Sequence, residues 1–333
     1  MSNLREVVQS RTTKLWQRLP TTIDQRVRFI AWLSLAGQVV IVATGGAVRL
    51  TASGLGCTTW PKCTTDSWVA TPEYAMHGII EFGNRLLTFV LAAIAVAAFL
   101  AVIRFRAQRP DLFWMTFWLG MSIPAQAILG GITVLTGLNP YLVGAHFLLS
   151  AILVVLGTVL VYRVYNGRSA GLGVDSLMVG LGWLVGLAAA VTIVIGILTT
   201  GAGPHAGHDG DAADAPVVRN GFDPINMQHL HSYPAYAMLG LSILLLIWLI
   251  AVRRGLTLRF ASALIATTLL QVVVGIMQAR LGLPEVLVGV HMVLACIVVS
   301  LVAAVILSFY NSCQVLPGPV PNDAVEEPAT LRS

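Results

Sequence analysis

Eight stretches of this chain run for about 20 residues with almost no charged side chain, the length an α-helix needs to cross the hydrocarbon of a bilayer. They fall near 29–48, 86–103, 112–136, 141–162, 176–200, 229–252, 260–279 and 286–309. In lipid each backbone N–H and C=O must find its partner inside the protein, so such runs fold as helices. Of 333 residues, 56% are hydrophobic and only 11% charged, less than half the charge of an ordinary soluble domain. No single water-soluble core could cover that much apolar surface. A soluble globular, collagen-like or disordered chain is excluded, and an all-α polytopic membrane protein with eight transmembrane helices is expected. The second helix is expected to begin near Tyr74, because His77, Glu81 and Arg85 fall at i, i+4 and i+8 on one face leading into the apolar run. A polar leader without a small-residue cleavage pattern precedes the first run, so that span is read as retained.

Orientation follows from Lys and Arg in the short loops. One side carries Arg5, Arg11, Lys14, Arg18, Arg26 and Arg28 before span 1, Arg104, Arg106 and Arg109 between spans 2 and 3, and Arg163 and Arg168 between spans 4 and 5. Arg253, Arg254 and Arg259 between spans 6 and 7 and Arg332 in the tail lie on that side too. The other side has only Arg49, Lys62, Arg219 and Arg280, with Arg85 inside a helix. A cell-membrane protein with both termini cytoplasmic is expected. The formal charge of +5 therefore reflects topology, and the loops lack the basic and aromatic pattern of a nucleic-acid surface.

A shift of 145 residues lays Gln126 on Gln271, Gly130 on Gly275, Gly137 on Gly282, Leu138 on Leu283, Val143 on Val288, Gly144 on Gly289 and His146 on His291. Slightly larger shifts lay Gly46 on Gly196 and Asn84 on His231. The chain thus reads as two tandem, pseudo-symmetric four-helix bundles. With an even number of spans in each half, the repeat is parallel, about an axis along the membrane normal. The boundaries are a tail at 1–28, an N-terminal bundle at 29–165 with an outer loop at 49–73, a C-terminal bundle at 176–312 and a tail at 313–333. Each half should hold an equivalent site.

His77 and His231 open spans 2 and 6, and His146 and His291 open spans 4 and 8, all at the same outer depth. Ionisable residues inside a membrane are functional candidates by default. Two neutral imidazoles facing each other across a four-helix bundle suit haem iron, which takes axial nitrogen ligands in a flat apolar slot. Gly144, Ala145, Gly289 and Ser150 beside the histidines are small enough to admit a macrocycle. The competing reading is a histidine that only hydrogen-bonds a neighbouring helix. His229 stands two residues from His231 and so on a nearly opposite face; repeat alignment picks His231 as the ligand. His205 and His208 fall in the segment GPHAGHDGDAADAP, which composition reads as a solvated, flexible loop.

Cys57 and Cys63 bracket a Trp60-Pro61 turn in the outer loop. A bridge is expected if the turn brings their Cα atoms within about 7 Å, a redox-active dithiol being a special case. No second Cys or His pair completes a zinc site nearby. Cys296 and Cys313 read as packing residues.

Taken together, these residues resemble the haem A synthase family. The resemblance is carried by the Gly45–Thr51 and Gly54–Cys63 segments, by Glu81-Phe82-Gly83-Asn84-Arg85, by the Gly-Leu turns leading to His146 and His291, and by Gln228–His231. It covers about residues 26 to 310. It implies an eight-helix fold with a resident haem b in the C-terminal bundle, whose axial ligands would be His231 and His291. It implies the substrate, haem O, in the N-terminal bundle, at a site of His146, Asn84 and Arg85, with Glu81 as the family's carboxylate. Many members have His where this chain has Asn84, so the substrate iron would be held by His146 alone or with His77.

The implied reaction converts the C8 methyl of haem O to a formyl group through successive hydroxylations and loss of water. Glu81 could act as general base toward a water, and the resemblance favours water as the oxygen source. Membrane lipid, a haem O synthase, an electron acceptor and a second copy of this chain are the candidate partners. Two other classes compete. A b-type cytochrome subunit would use the same histidines without needing Glu81, and a transporter would show broken helices with charges at the midplane.

Overall fold

The computed structural model describes residue 14 and residues 16–208, 217–252 and 255–313. Arg5, Arg11, Arg253, Arg254, Arg332, the 209–216 part of the histidine loop and the tail beyond Cys313 lie outside the described residues. Among the described residues eight helices are long and apolar enough to cross a membrane. They are α1 (Gln25–Leu50), α2 (Ala75–Val102), α3 (Pro110–Leu135), α4 (Pro140–Asn166), α5 (Ser176–Ala202), α6 (Pro224–Ala251), α7 (Gly255–Arg280) and α8 (Glu285–Leu307). Most begin before their apolar stretch, and capping groups set several of these starts. Asp24, Asp175 and Asp223 accept hydrogen bonds from first-turn amides, and prolines open α3, α4 and α6, where the missing N–H costs nothing. The second span is preceded by a 3₁₀ turn at Pro72–Tyr74, as the His77, Glu81 and Arg85 spacing predicts.

In each half the four helices close a ring in chain order, α1 to α4 and α5 to α8. Each ring has its own apolar core, one around Leu35, Leu112 and Val154 and one around Met178, Leu245 and Leu264. The halves meet through α4 against α8, flanked by α1 on α8 and α5 on α4, the pattern a two-fold axis through the α4–α8 contact produces. Met292 of α8 presses against Gly46 of α1, where an added Cβ would come within 2.9 Å of its methyl. The outer faces remain apolar. Phe89 is 72% exposed and Val286 77%, surface that only a bilayer covers. The protein is therefore a multi-pass membrane protein.

The repeat extends to the backbone of the turns. Gly137 and Leu138 after α3, and Gly282 and Leu283 after α7, all have positive φ. The amide of Leu138 bonds Thr133 O at 2.8 Å, and that of Leu283 bonds Gln278 O at 2.7 Å. This six-to-one closure satisfies helix-end carbonyls. A leucine in the left-handed region costs about 1 kcal/mol or more, and both halves carry it at the same place. Among the described residues one feature departs from an all-α reading. Strands β1 (Arg168–Leu172) and β2 (Tyr310–Cys313) form a two-stranded antiparallel ribbon. The linker between the halves and the segment after α8 both leave a helix with unpaired backbone groups, and they satisfy them on each other.

Candidate functional site

The end of the bundles at which residues 51–74 lie, here the loop end, gathers most of the polar side chains picked out from the sequence. In the C-terminal half, His231 of α6 and His291 of α8 face each other with ring centroids 6.2 Å apart. A metal held by two imidazoles, each at about 2 Å from nitrogen to metal, separates the ring centres by roughly 6 Å. The pair therefore fits two axial ligands of one iron. His231 Nδ1 lies 3.0 Å from Thr192 O of α5. A carbonyl only accepts, so Nδ1 carries the proton and Nε2 keeps a lone pair for a metal. His291 Nδ1 is buried without a hydrogen bond, and Gln271 of α7 donates to the His291 carbonyl at 3.0 Å. Both rings rest on glycines of the neighbouring helix. A Cβ at Gly196 would fall 2.8 Å from His231 Cε1, and one at Gly275 would fall 3.3 Å from His291 Cε1.

The N-terminal half repeats half of this arrangement. His146 of α4 lies against Gly130 of α3 at the same 3.3 Å, and Gln126 reaches its carbonyl at 3.4 Å and Ser150 Oγ at 2.8 Å. His146 Nδ1, like its counterpart, is buried and unbonded. At the counterpart of His231 stands Asn84 of α2, facing Gly45 at 4.0 Å, with a buried Oδ1 that makes no hydrogen bond. Gly45, rather than Gly46, is thus the equivalent of Gly196. Gly45 and Gly46 are adjacent glycines, so sequence alone leaves the pairing open by one residue. Gly46 serves the interface between the halves.

Glu81 stands one helical turn before Arg85 on α2 and is 5% exposed. Arg85 donates to Glu81 Oε1 through Nη2 at 2.5 Å and Nε at 3.2 Å, while Glu81 Oε2 accepts the Cys57 amide at 2.6 Å. Through its Nη1, Arg85 also donates to Thr59 O and Lys62 O, both at 3.1 Å. The carboxylate and guanidinium together bind the outer loop to α2. Breaking such a buried pair by removing one partner typically costs about 3–5 kcal/mol. His77 stands one turn before Glu81 on the same face, yet the two do not pair. His77 Nδ1 lies 3.0 Å from Ser53 Oγ, on the loop, a turn further from Asn84.

Cys57 and Cys63 are joined in a disulfide with Cα atoms 4.4 Å apart, and both are buried. Cys57→Ser and Cys63→Ser should behave alike, since either removes the same bridge. Thiol labelling of the wild type at these positions should rise only after reduction, and equal labelling before and after would contradict the bridge.

The histidine loop departs from its expected solvation. Its first part, Gly203–His208, packs between the halves. Arg49 of α1 donates to His205 O and Thr200 O, both at 2.8 Å, and the Gly54 amide donates to Gly207 O at 2.7 Å. His205 Nε2 donates to Leu283 O at 2.9 Å, and His208 is 5% exposed. Glycine and alanine look flexible in composition, yet here their bare backbone lets the other half come close enough to bond it. His229 is exposed and has no part in the pair. Among the described residues no cluster of three or more His, Cys, Asp or Glu could hold a metal ion.

Sequence reasoning missed the Thr192 carbonyl, the Arg49 clamp and the role of Gln126 and Gln271. The glutamines were visible as a repeat pair; the carbonyl and the clamp depend on contacts that no spacing reveals.

Residues 28–303 match the COX15-CtaA family, described as cytochrome oxidase assembly protein. The chain is 30% identical over 259 residues to "Heme A synthase" of Dinoroseobacter shibae, a match covering 63% of this chain and 66% of that protein. It is 26% identical over 157 residues to "Heme A synthase" of Geobacillus kaustophilus, covering 47% of this chain and 49% of the relative. With "Heme A synthase" of Rickettsia massiliae the identity is 24% over 331 residues, covering 84% of this chain and 97% of the relative. The chain thus spans from about half to just under two thirds of the length of the first two relatives, and nearly all of the third. With the family match running from α1 into α8, this protein belongs to the COX15-CtaA family.

Proposed function

We propose that this chain is a haem A synthase, an oxidoreductase that converts the C8 methyl of haem O to a formyl group, with a resident haem b in its C-terminal bundle. One observation carries the reading: the two halves share a fold but differ where the second histidine of a pair would stand. The C-terminal half opposes two imidazoles at 6.2 Å, the geometry of a permanently held iron. The N-terminal half sets His146 against Gly130 and, at the counterpart of His231, Asn84 against Gly45, with the buried carboxylate Glu81 one turn before Asn84 on α2. A site with one strong ligand binds its macrocycle more loosely, as a substrate that must leave requires. An electron carrier would not require Glu81.

In this reading His231 and His291 hold haem b, with His231 kept in the metal-binding tautomer by Thr192 O. When bound, haem b supplies a one-electron redox centre. Gly130 and Gly45 leave the substrate slot open to a flat ring. His146 presents its imidazole from one side, and Glu81 takes the proton from a water that attacks the oxidised methyl carbon. Arg85 fixes the carboxylate in place. The loop end faces the cell exterior and both termini the cytoplasm, as the basic loops imply. The reading leaves haem O synthase as supplier of the substrate and an electron acceptor as a further partner.

Pigment extraction tests this. Protein from cells that make haem O should carry haem b together with haem O, and protein from cells that do not should carry haem b alone. A single haem type under both conditions would overturn the division of labour. The same assay separates the two histidines of the N-terminal half. His146→Ala should remove bound haem O, whereas His77→Ala should leave it near the wild-type level, because the His77 ring is bonded to Ser53 of the outer loop and not to His146. Equal losses would make His77 a second ligand.

A further inference from the structure

The two halves differ at a second position, and nothing in the family match assigns it a role. Gly130 and Gly275 are repeat partners, each lying under a histidine ring. The next residues are not alike: Gly131 in the N-terminal half, Ile276 in the C-terminal half. Ile276 is 42% exposed, while Gly131 is buried. What covers Gly131 is the indole of Trp60, from the loop closed by the Cys57–Cys63 bridge. A Cβ at Gly131 would fall within 3.0 Å of three indole atoms, so only glycine admits the ring. The surrounding loop is buried like a core segment, with Ser53, Leu55, Cys57 and Cys63 each below 5% exposure.

Arg85 connects this indole to Glu81. Its Nη1 holds the carbonyls of Thr59 and Lys62, which flank the Trp60-Pro61 pair, while its Nη2 and Nε hold Glu81. Carboxylate, guanidinium and indole form one rigid assembly at the mouth of the N-terminal bundle. Adjacent residues on a helix point about 100° apart, so His146 and Trp60 approach the Gly130-Gly131 step of α3 from two directions.

We propose that Trp60 is a positioning residue of the substrate site: its indole walls the rim of the slot and fixes which edge of the macrocycle faces Glu81. This rests on the reading of the N-terminal bundle as the haem O site. It gives a physical reason for selecting one methyl on a ring that carries several, since a planar macrocycle held by one axial ligand is otherwise free to turn about that bond. The C-terminal half, whose occupant never has to be oriented toward a base, has no such wall at Ile276.

The test uses full-length protein purified from cells supplying haem O, with extracted pigments quantified. Trp60→Ala should keep haem b at the wild-type level and keep the disulfide. Bound haem O should fall about ten-fold, and partly oxidised haem should appear beside the formyl product, since small misplacements of a reacting group cost up to about 10²-fold. Gly131→Ile, which copies the other half and expels the indole without altering it, should give the same pattern, and Trp60→Phe should lie between. Wild-type haem O content and product distribution in Trp60→Ala and Gly131→Ile would overturn the proposal. So would loss of haem b along with haem O, which would make Trp60 a prop of the whole fold. Failure of the wild type itself to bind haem O would instead remove the functional reading on which the proposal rests.

Discussion

Replacing His291 by alanine should abolish the low-spin haem b spectrum of the purified protein, and His231→Ala should do the same. Each ring is one of two that face each other at 6.2 Å, and each packs on a glycine of the neighbouring helix. The other histidine at hand, His229, is exposed and points away from the pair. Changes to groups that merely support a ligand cost about 10- to 100-fold in metal affinity, so removal of a ligand itself should leave no resident haem after purification. His229→Ala serves as the control and should keep the full spectrum. An unchanged spectrum in His291→Ala would refute the assignment of the pair.

The second large effect is expected at Glu81. Loss of a general base typically lowers the rate by about 10²- to 10⁴-fold, and Glu81→Gln should lower formyl-haem formation by that amount while leaving the haem b spectrum in place. The amide is not a silent replacement here. Glu81 accepts from the Cys57 amide on one oxygen and from Arg85 on the other, so glutamine must turn its NH₂ toward a donor on one side. Leaving a buried donor unpaired costs about 1–3 kcal/mol, and the outer loop should loosen accordingly. Arg85→Lys separates the two effects, because it releases Thr59 O and Lys62 O while keeping the carboxylate. If Arg85→Lys loses as much product as Glu81→Gln, the pair acts by anchoring the loop; if Glu81→Gln loses far more, the carboxylate acts on the reaction. Glu81→Gln at wild-type rate would end its assignment as the base.

Much of this was legible in the sequence because membrane folding leaves few choices. An uncharged run of sufficient length must be a helix, and a fixed offset between such runs must be a repeated bundle, so the eight spans and the partnership of His146 with His291 follow directly. Even the Gly-Leu turns, which determine where α4 and α8 begin, were visible as repeat pairs. Contacts perpendicular to the chain were not legible. The offset that aligns α3 with α7 fails for α1 with α5, and the adjacent glycines Gly45 and Gly46 leave the pairing with Gly196 open by one residue, which only the contact of Gly45 with Asn84 decides. The Gly203–His208 segment looked solvated because glycine and alanine carry no signal of burial; its carbonyls are bonded by Arg49 and Gly54 from the other half. His77 shares a face with Glu81 and Arg85, which invited a local hydrogen bond, yet the returning loop brings Ser53 to His77 and Cys57 to Glu81 instead. Hydrophobic periodicity specifies which face of a helix is covered, and says nothing of which loop covers it.

The central claim is that one half holds a haem permanently while the other processes a second one. The most direct measurement is conversion: membranes containing this protein as the sole candidate enzyme are given haem O, and the haems are extracted and separated over time. The account predicts that a formyl-bearing haem accumulates at the expense of haem O while the haem b content stays constant. Haem O bound at full level, with haem b present and no formyl product formed under conditions that keep haem b able to pass on electrons, would contradict it.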